Sequence, residues 1–423
     1  MLTRDAHGAV LGGISLVDLL RDGSLSIPTP AYVYDLDAME AEARALAEGF
    51  EGRPHLVAYA VKANSAGPVV RALARGGVGA DVVSGAELSV VLGCGIAPER
   101  VLYSGVGKLA RELDAAMGAG DRGIHAIQVE SVEEIARIAA RATAVGRRAR
   151  VSIRVNPGVE ADTHAHVATG HDEAKFGVAI ADLPAAWDAL SRAPQLDLVG
   201  LSSHVGSQLT RTGEYVAAAE TLLALAVART NAGARLEFID FGGGFGIDYG
   251  AGCPAKPADF ARAAVKLLGA SPLASLQIVV EPGRSLVAAH GVLCASVISA
   301  KRSIEGDRRW LIIDAGMNDL IRPALYAARH RIEPLDRPPV AAAPGYRVVG
   351  PVCESSDDFG EHPFDSVPER VIIRDAGAYG FTMASEYNGR ALPVEVFLRG
   401  GRVDSISASL GVDAWVAKRL GNG

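Results

Sequence analysis

Short β-branched runs alternate along residues 57–280 with longer segments that carry apolar residues at helical spacing. The short runs end in Gly, Asn or Ser, which is typical of strands, and the longer segments are rich in Ala, Leu, Glu and Arg. The predicted strands are residues 57–61, 80–83, 101–104, 126–129, 151–155, 198–202, 236–240 and 276–280. Eight strands alternating with helices predict an α/β fold with a closed, parallel (β/α)8 TIM-type barrel, whose active site lies in the loops after the strands.

The segment after the fourth strand illustrates the helical pattern. Ser131 can cap a helix with the Glu134 side chain reaching back, and Gly146 can end it. The apolar stripe between them consists of Ile135, Ile138, Ala142 and Val145. One face of this helix is therefore predicted to pack against the sheet.

Beyond residue 288 the pattern changes to strand-like runs with few helical segments. The runs cover residues 292–300, 310–314, 346–349, 370–374, 394–399 and 402–407, and the Pro-rich stretch 334–344 predicts a surface loop among them. Residues 31–34 also have a strand pattern and can join this part. We therefore expect a barrel domain of residues 36–287 and a mostly β domain of residues 288–423 joined by residues 1–35.

Composition and charge exclude several classes of protein. The 423 residues carry 42 Lys and Arg against 49 Asp and Glu, a net charge of −7 that argues against nucleic-acid binding. With 49% hydrophobic residues the chain is a folded protein. The most apolar stretch, residues 216–228, falls short of the ~20 residues of a bilayer span. The four cysteines are far apart and no secretory pattern is present, so a cytoplasmic location is expected.

Lys62 directly follows the first barrel strand, so its amine is expected at the barrel mouth, the set of loops after the strands. An amine in a partly desolvated pocket can lose its proton and condense with a carbonyl group. From this residue alone, a lysine that merely contacts solvent remains an alternative.

Gly242, Gly243 and Gly244 follow the seventh strand, and their backbone N–H groups can wrap an anion. A dinucleotide fingerprint is excluded because Ile247 occupies its last glycine position. Barrels commonly bind phosphate with the loops after strands seven and eight, so this position favours a phosphate site over a plain tight turn.

The sixth and eighth strands also end in polar residues. His204 and Ser207 follow the sixth strand, where they are either site residues or a core histidine with a capping serine. Glu281 ends the eighth strand and can pair with a ring nitrogen and keep it protonated, although alone it would be a structural residue.

Three further patterns are weaker. Residues 105–108 lack the Ser or Thr of a phosphate loop, and Ser202 and Ser203 lack a nucleophile elbow. One loop carries possible metal ligands whose spacing matches no zinc pattern, so we expect no metal there: Asp162, His164, His166 and His171.

Six motifs, in order, resemble those of the fold-type III pyridoxal-phosphate decarboxylases, across about residues 28–417. They resemble in particular the members that act on meso-2,6-diaminopimelate. The motifs are Lys62 in Tyr-Ala-Val-Lys-Ala-Asn, His204-Val-Gly-Ser-Gln, the three glycines 242–244, Glu281-Pro-Gly-Arg, Cys353-Glu-Ser-Ser-Asp and Tyr387.

The resemblance implies pyridoxal 5'-phosphate as cofactor. It implies that Lys62 forms a Schiff base with the cofactor's aldehyde, that His204 stacks on the ring and that Glu281 faces the ring nitrogen. The residues implied to hold the phosphate and its surroundings are Ser207, Gly242, Gly243, Gly244, Gly283 and Tyr387.

The resemblance also implies the reaction and its substrate. Decarboxylation of meso-2,6-diaminopimelate would give L-lysine and carbon dioxide, with Cys353 as proton donor. The residues implied to contact the substrate are Arg284, Arg322, Tyr326, Glu354 and Tyr387, and arginine's planar fork suits a carboxylate. Another amino acid or a carrier-linked substrate is the alternative.

In the family, the β domain of one subunit completes the pocket of the other. The resemblance therefore implies a homodimer in which Cys353 and Glu354 act across the interface. A cofactor-holding protein without activity is disfavoured, because Lys62, Cys353 and the β domain are all present.

Overall fold

The computed structural model describes residues 2–21, 27–158, 175–304, 306–340, 343–407 and 411–421. The chain divides into two compact units. The barrel unit contains Glu40–Ile247 and Gly252–Ser285, and the β unit contains Met1–Met39, Asp248–Ala251 and Leu286–Gly423.

The chain opens with elements that precede the barrel strands. They are β1 (Thr3–Asp5), β2 (Gly8–Leu11), β3 (Ile14–Ser15), α1 (Leu16–Leu19), β4 (Ala31–Asp35) and α2 (Leu36–Glu48). The first three strands form a small antiparallel sheet.

Parallel strands and helices then alternate through the barrel unit. The strands are β5 (His55–Ala60), β6 (Gly79–Val82), β7 (Val101–Tyr103), β8 (Ala126–Val129), β9 (Ala149–Asn156), β10 (Val178–Ala179), β11 (Leu196–Ser203), β12 (Phe238–Gly243) and β13 (Gln277–Glu281). The helices are α3 (Gly67–Arg75), α4 (Gly85–Gly93), α5 (Ala110–Gly118), α6 (Val132–Val145), α7 (Leu183–Ser191), α8 (Gly213–Asn231), α9 (Pro257–Gly269) and α10 (Arg284–Val287).

The barrel closes because β13 pairs with β5 and β8 pairs with β9. Within the described residues, eight strands form the ring in the order β5, β6, β7, β8, β9, β11, β12, β13, and the two-residue β10 adds to β9. The predicted eight-stranded parallel barrel is therefore confirmed. An apolar layer fills its interior, formed by Leu56, Ala58, Leu102, Ala126, Val199, Phe238 and Val279. Polar side chains lie nearer the carboxyl ends of the strands.

Helix α6 follows the predicted pattern with two differences. Ser131 Oγ accepts from Glu134 N at 3.3 Å, and Gly146 ends the helix with a φ of 65°. The Glu134 carboxylate reaches back to the N–H of Glu130 at 2.8 Å rather than to the capping residue. Val145 is exposed, and Ala139 lies on the buried face instead.

The β unit contains the remaining elements. Its strands are β14 (Gly291–Arg302), β15 (Arg309–Ile313), β16 (Ile332–Pro334), β17 (Gly345–Val349), β18 (Asp358–Pro363), β19 (Arg370–Ile373), β20 (Val394–Arg399) and β21 (Arg402–Ser407). Its helices are α11 (Arg322–Tyr326) and α12 (Val412–Arg419).

One sheet organises the β unit, in the order β18, β17, β15, β14, β4, β20, β21, with β19 also on β14 and β16 on β19. Strand β4, from the N-terminal segment, therefore lies between β14 and β20, antiparallel to the first and parallel to the second. Val33 of β4 lies in one buried apolar cluster with Val292, Cys294, Val396 and Leu398.

The sequence pattern missed β1, β2, β3, β10, β16 and β18, which are short or lack β-branched residues. The stretch predicted as a loop from residue 334 begins with the end of β16, and Leu335 is buried. No helix in the described parts of the chain is long and apolar enough to cross a membrane.

Candidate active site

Lys62 lies in a 3₁₀ turn, Val61–Ala63, directly after β5. Its Nζ is 3.8 Å from Oδ2 of Asp81, a buried residue on the neighbouring strand β6. Burial raises the pKa of Asp81, whereas the charge of Lys62 lowers it. The lysine side chain keeps 45% of its surface exposed. Its amine thus lies beside a buried acid and is still open to a ligand, as the predicted condensation with a carbonyl group requires.

His204 follows β11, and its Nδ1 accepts a hydrogen bond from Gly243 N at 3.2 Å. Burial lowers the pKa of His204 well below its ordinary value, and the nearby cations Arg154 and Lys62 lower it further. The imidazole is therefore neutral at physiological pH and carries its hydrogen on Nε2, because Nδ1 is the acceptor.

The glycine run is needed for packing at the mouth. A Cβ would lie 2.2 Å from Ser203 O at Gly242, 1.9 Å from Glu281 O at Gly243 and 2.1 Å from Gly206 O at Gly244. Any side chain there would push neighbouring strand ends apart.

The expectation that all three glycine amides face an anion is wrong for two of them. Gly242 N donates to Asp240 Oδ1 at 2.9 Å, and Gly243 N donates to His204 Nδ1. These two N–H groups hold site side chains in place.

Ser207 and Arg284 contact each other. Arg284 opens α10, is almost fully buried, and donates from Nη2 to Ser207 Oγ at 2.9 Å. Gly283, just before it, faces Ala60 and Ala63, whose Cβ atoms would lie 3.2 Å from an added Cβ. The loop after β13 thus packs closely against the turn that carries Lys62.

Two carboxyl groups approach the side-chain amide of Gln128 on β8. Gln128 Nε2 donates to Asp240 Oδ2 at 3.0 Å and to Glu281 Oε1 at 2.5 Å. Burial raises the pKa of Asp240 to about 6. Burial, followed by repulsion from Asp240, raises the pKa of Glu281 well above its ordinary value. Two such acids cannot both ionise freely, so near neutral pH the pair retains a proton.

A second charged group lies around Arg154 on β9. Its Nη1 is 3.1 Å from Glu130 Oε1, and Glu130 also accepts from Gly105 N at 2.7 Å and Gly177 N at 2.9 Å. Burial alone would raise the pKa of Glu130, but the cations Arg154 and Lys108 lower it overall. Glu130, directly after β8, thus joins β9, the segment after β7 and the residue before β10.

Lys108, in the segment that resembled a phosphate loop, directs its amine into the protein. Nζ donates to Gly105 O and Gln128 O, both at 2.6 Å, and to Glu134 Oε1 at 3.1 Å. A fully buried lysine with three acceptors is a structural cation.

Arg322 and Tyr326 begin and end α11 in the β unit. Arg322 is buried, and its Nη1 lies 2.7 Å from His330 Nε2. The ring of Tyr249 lies 4.8 Å from the guanidinium carbon. Because an arginine can only donate, His330 accepts through Nε2, and its Nδ1–H donates to Arg374 O at 2.9 Å. The guanidinium group is therefore oriented by the ring of Tyr249 on one face and by the acceptor His330 Nε2.

Cys353 and Glu354 lie on an exposed loop of the β unit. Buried Asp357 anchors this loop by accepting from Met317 N at 2.6 Å and Val352 N at 2.7 Å. Asn388 Oδ1 accepts from Cys353 N at 2.9 Å, and the adjacent Tyr387 is 48% exposed. The loop and the Tyr387 turn thus form one exposed surface.

Sequence reasoning missed Gln128, Asp240, Glu130 and Arg154. Asp240 stands just before the glycine run, a strand-end signal that could have identified it. Glu130, directly after β8, carries the same signal, whereas Gln128 and Arg154 alternate with apolar residues in strands and look like outward-facing positions. The cluster Asp162, His164, His166 and His171 lies outside the described residues. Among the residues that are described, no group of three or more His, Cys, Asp or Glu could hold a metal ion.

Residues 36–288 match the family described as "Pyridoxal-dependent decarboxylase, pyridoxal binding domain". The chain is 41% identical over 375 residues to a diaminopimelate decarboxylase of Pseudomonas fluorescens, covering 88% of each chain. It is 40% identical over 380 residues to that of Zymomonas mobilis, again covering 88% of each.

Solved structures show the same likeness. Diaminopimelate decarboxylase from Helicobacter pylori complexed with L-lysine superposes with a TM-score of 0.84 at 35% identity, covering 94% of this chain and 98% of that one. The enzyme from M. jannaschii in complex with L-lysine gives a TM-score of 0.89 at 30% identity, covering 99% and 97%.

Proposed function

The chain belongs to the family of pyridoxal-dependent decarboxylases, and from this we propose that it converts meso-2,6-diaminopimelate to L-lysine and carbon dioxide, the last step of lysine biosynthesis. The identity with diaminopimelate decarboxylases over most of both chains carries this proposal. The arrangement of amine, imidazole and carboxyl group at the barrel mouth supports it.

Pyridoxal 5'-phosphate is the cofactor, and the barrel mouth fits it. Lys62 offers a half-exposed amine for the aldehyde, His204 a neutral flat ring, and Glu281 a buried carboxyl group at a strand end. We assign these residues to the aldehyde, the ring face and the ring nitrogen, respectively. When bound, the cofactor supplies an electron-withdrawing ring that takes up the electron pair left by departing carbon dioxide.

The phosphate is assigned to the loops after β11, β12 and β13. Ser207 offers a hydroxyl group held by Arg284, and the glycines 242–244 and Gly283 let the backbone segments approach closely. Because the amides of Gly242 and Gly243 are already engaged, their contribution is close packing rather than direct donation. Tyr387 is assigned to the same phosphate from the β unit.

The substrate residues match a molecule that carries a carboxylate and an ammonium group at each end. We assign Arg284, Arg322 and Tyr326 to a carboxylate, and Glu354 to the distal ammonium group, with Tyr387 beside them. A guanidinium already oriented by His330 and Tyr249 loses little side-chain freedom when it binds a carboxylate bidentately.

We assign Cys353 as the proton donor to the carbon that loses its carboxyl group. Cys353 is exposed together with Glu354 on the anchored loop, so we propose that this surface completes the barrel mouth of a second subunit in a homodimer. Accordingly the protein is active as a dimer.

Cys94, Cys294 and Cys353 are free thiols, which supports a reducing, cytoplasmic location.

A substrate panel tests the proposed function. Purified protein loaded with cofactor should release carbon dioxide from meso-2,6-diaminopimelate far faster than from lysine, ornithine or arginine, with L-lysine as product. Turnover of another amino acid or of a carrier-linked substrate, without turnover of diaminopimelate, would contradict the substrate assignment and leave the cofactor assignment intact.

We also propose residues 36–287 as the cofactor-binding domain, with residues 1–35 joining 288–423.

A further inference from the structure

Gln128 connects two acids of the barrel, the fully buried Asp240 and the half-buried Glu281, through one side-chain amide. Its Nε2 lies 3.0 Å from Asp240 Oδ2 and 2.5 Å from Glu281 Oε1, so each of its two hydrogens has its own carboxyl group. Gln128 is 1% exposed and Asp240 is fully buried. In such surroundings these hydrogen bonds are not replaced by water.

Ser202 fixes which way the amide points. Its Oγ donates to Gln128 Oε1, and it is also buried on β11. With the amide oxygen engaged by this hydroxyl group, the nitrogen must face the acids. Four neighbouring or facing barrel strands, β8, β11, β12 and β13, thus supply one member each to a closed polar cluster: Gln128, Ser202, Asp240 and Glu281.

The cluster controls the charge of Glu281 as well as its position. The ionisable groups that act on Glu281 are Asp240 on β12, Asp81 on β6, Lys62 after β5 and Arg154 on β9. Burial first, and then the two acids, favour its neutral form, whereas the two cations and the Gln128 hydrogen bond favour the anion. Because the amide donates to both acids of the pair, it stabilises a negative charge on either one.

We propose that Gln128 is a positioning residue, which holds the Glu281 carboxyl group against Asp240 and thereby keeps an anion available beside the cofactor's ring nitrogen. This inference rests on the proposed function only through the cofactor, and it is independent of which amino acid is decarboxylated. Gln128 contacts neither cofactor nor substrate in this scheme and acts through Glu281. Ser202 supports it by fixing the amide.

Replacing Gln128 by Met tests the proposal, because Met has a similar length and no donor. Gln195→Met is the matched control, since Gln195 also donates from Nε2 to a protein acceptor, Ala139 O at 3.0 Å, away from the acids. Ser202→Ala keeps the amide but frees its orientation. If Gln128→Met does not fold, Ser202→Ala carries the test with the same readouts and smaller effects.

Three readouts separate positioning from general stability. Pyridoxal 5'-phosphate is titrated into each cofactor-free variant, the protonation of the ring nitrogen is followed across pH by NMR with nitrogen-labelled cofactor, and thermal unfolding is measured without cofactor. For Gln128→Met we expect cofactor affinity to fall about tenfold and the ring nitrogen to lose its proton about one pH unit lower, because Glu281 becomes harder to ionise. Gln195→Met should change neither.

The proposal is overturned if Gln128→Met folds and binds cofactor as tightly as the unaltered protein, with the same ring-nitrogen titration, even if its unfolding temperature falls. If the unaltered protein binds no pyridoxal 5'-phosphate, the proposed function itself fails. If it binds the cofactor but decarboxylates a different amino acid, the Gln128 readouts still stand and only the substrate assignment is wrong.

Discussion

The amine of Lys62 and the buried carboxylate of Asp81 show how the barrel prepares a reactive side chain at a strand end. A lysine without an acidic neighbour rotates freely, whereas the Lys62 amine lies 3.8 Å from a carboxyl oxygen on the next strand. Lys62→Ala should abolish the absorption band of the cofactor–lysine linkage and lower kcat by at least about a thousandfold. Lys301→Ala, a change at an exposed lysine on β14, is the control and should leave both unchanged. Full activity of Lys62→Ala would refute the assignment.

Arg322 is oriented by an aromatic ring and a histidine. The planar geometry of its guanidinium group should therefore matter more for substrate binding than its charge. Arg322→Lys should raise KM for diaminopimelate about ten- to a hundredfold with a smaller change in kcat, because the ammonium group cannot bind a carboxylate bidentately. Steady-state kinetics measure this. Arg309→Lys is the control. The guanidinium carbon of Arg309 lies 5.8 Å from the ring of Tyr346, so this change removes a similar stacking arrangement. An unchanged KM in Arg322→Lys would exclude a substrate contact.

Glu395 on β20 accepts a hydrogen bond from Tyr34 Oη at 3.0 Å, and burial raises its pKa to about 7. In the unfolded chain this carboxyl group loses its proton at lower pH. The free energy of unfolding therefore falls as the pH rises from the ordinary pKa of a glutamate to about 7. Glu395→Gln keeps the acceptor and removes the charge. It should raise the free energy of unfolding by about 1–3 kcal/mol near pH 8 and by little near pH 4.

Denaturant unfolding at both pH values checks this expectation. Glu361→Gln on the exposed side of β18 is the matched control, because it makes the same substitution at an exposed carboxyl group. Equal gains at both pH values for Glu395→Gln would mean that ionisation is not the cause.

At the scale of elements, the ends of helices α4 and α6 offer a comparison between two glycines. Gly146 ends α6 with a φ of 65°, and no atom lies within 4 Å of an added Cβ, so only backbone strain opposes a side chain. Gly93, the last residue of α4, has equal space and no positive φ. Thermal unfolding should therefore show Gly146→Ala destabilised by about 1 kcal/mol and Gly93→Ala stabilised by about 0.5–1 kcal/mol. The same sign for both would contradict the explanation.

The barrel could be predicted because its strands carry β-branched runs that stop at Gly, Asn or Ser. Strand β18, Asp-Phe-Gly-Glu-His-Pro, contains no β-branched residue and forms only because β17 supplies its antiparallel partner. Strands β1 to β3 have only two to four residues each, too few to show an alternating pattern. Local pattern cannot identify a strand whose stability comes from a neighbour elsewhere in the chain.

The site was predictable where a polar residue ends a strand, as at Lys62, His204 and Glu281. It was not predictable at Gln128, which alternates with buried Ile127 and Val129. In an open sheet such alternation indicates a solvent-facing residue, but in a barrel it equally describes a side chain pointing to the interior. Only closure of the barrel distinguishes the two.

At the scale of the whole molecule, a shared site predicts complementation between two inactive proteins. Lys62→Ala and Cys353→Ala are each expected to be nearly inactive. If Lys62 and Cys353 from different subunits form one site, mixing and reassociating the two variants should restore up to about a quarter of the unaltered activity, since half of the dimers then contain one intact site. An assay before and after reassociation measures this. No recovery in confirmed mixed dimers would place both residues in the same subunit's site.

Strand β4 is synthesised before the barrel, whereas its sheet partners β14 and β20 are synthesised after it. The β unit is thus the last part of the nascent chain that can be completed, however early the barrel closes. A message truncated ahead of Val394 would yield a polypeptide in which one edge of β4 keeps unsatisfied backbone groups. Such an edge is a template for strand addition, which makes premature termination here a route to aggregation rather than to a smaller working enzyme.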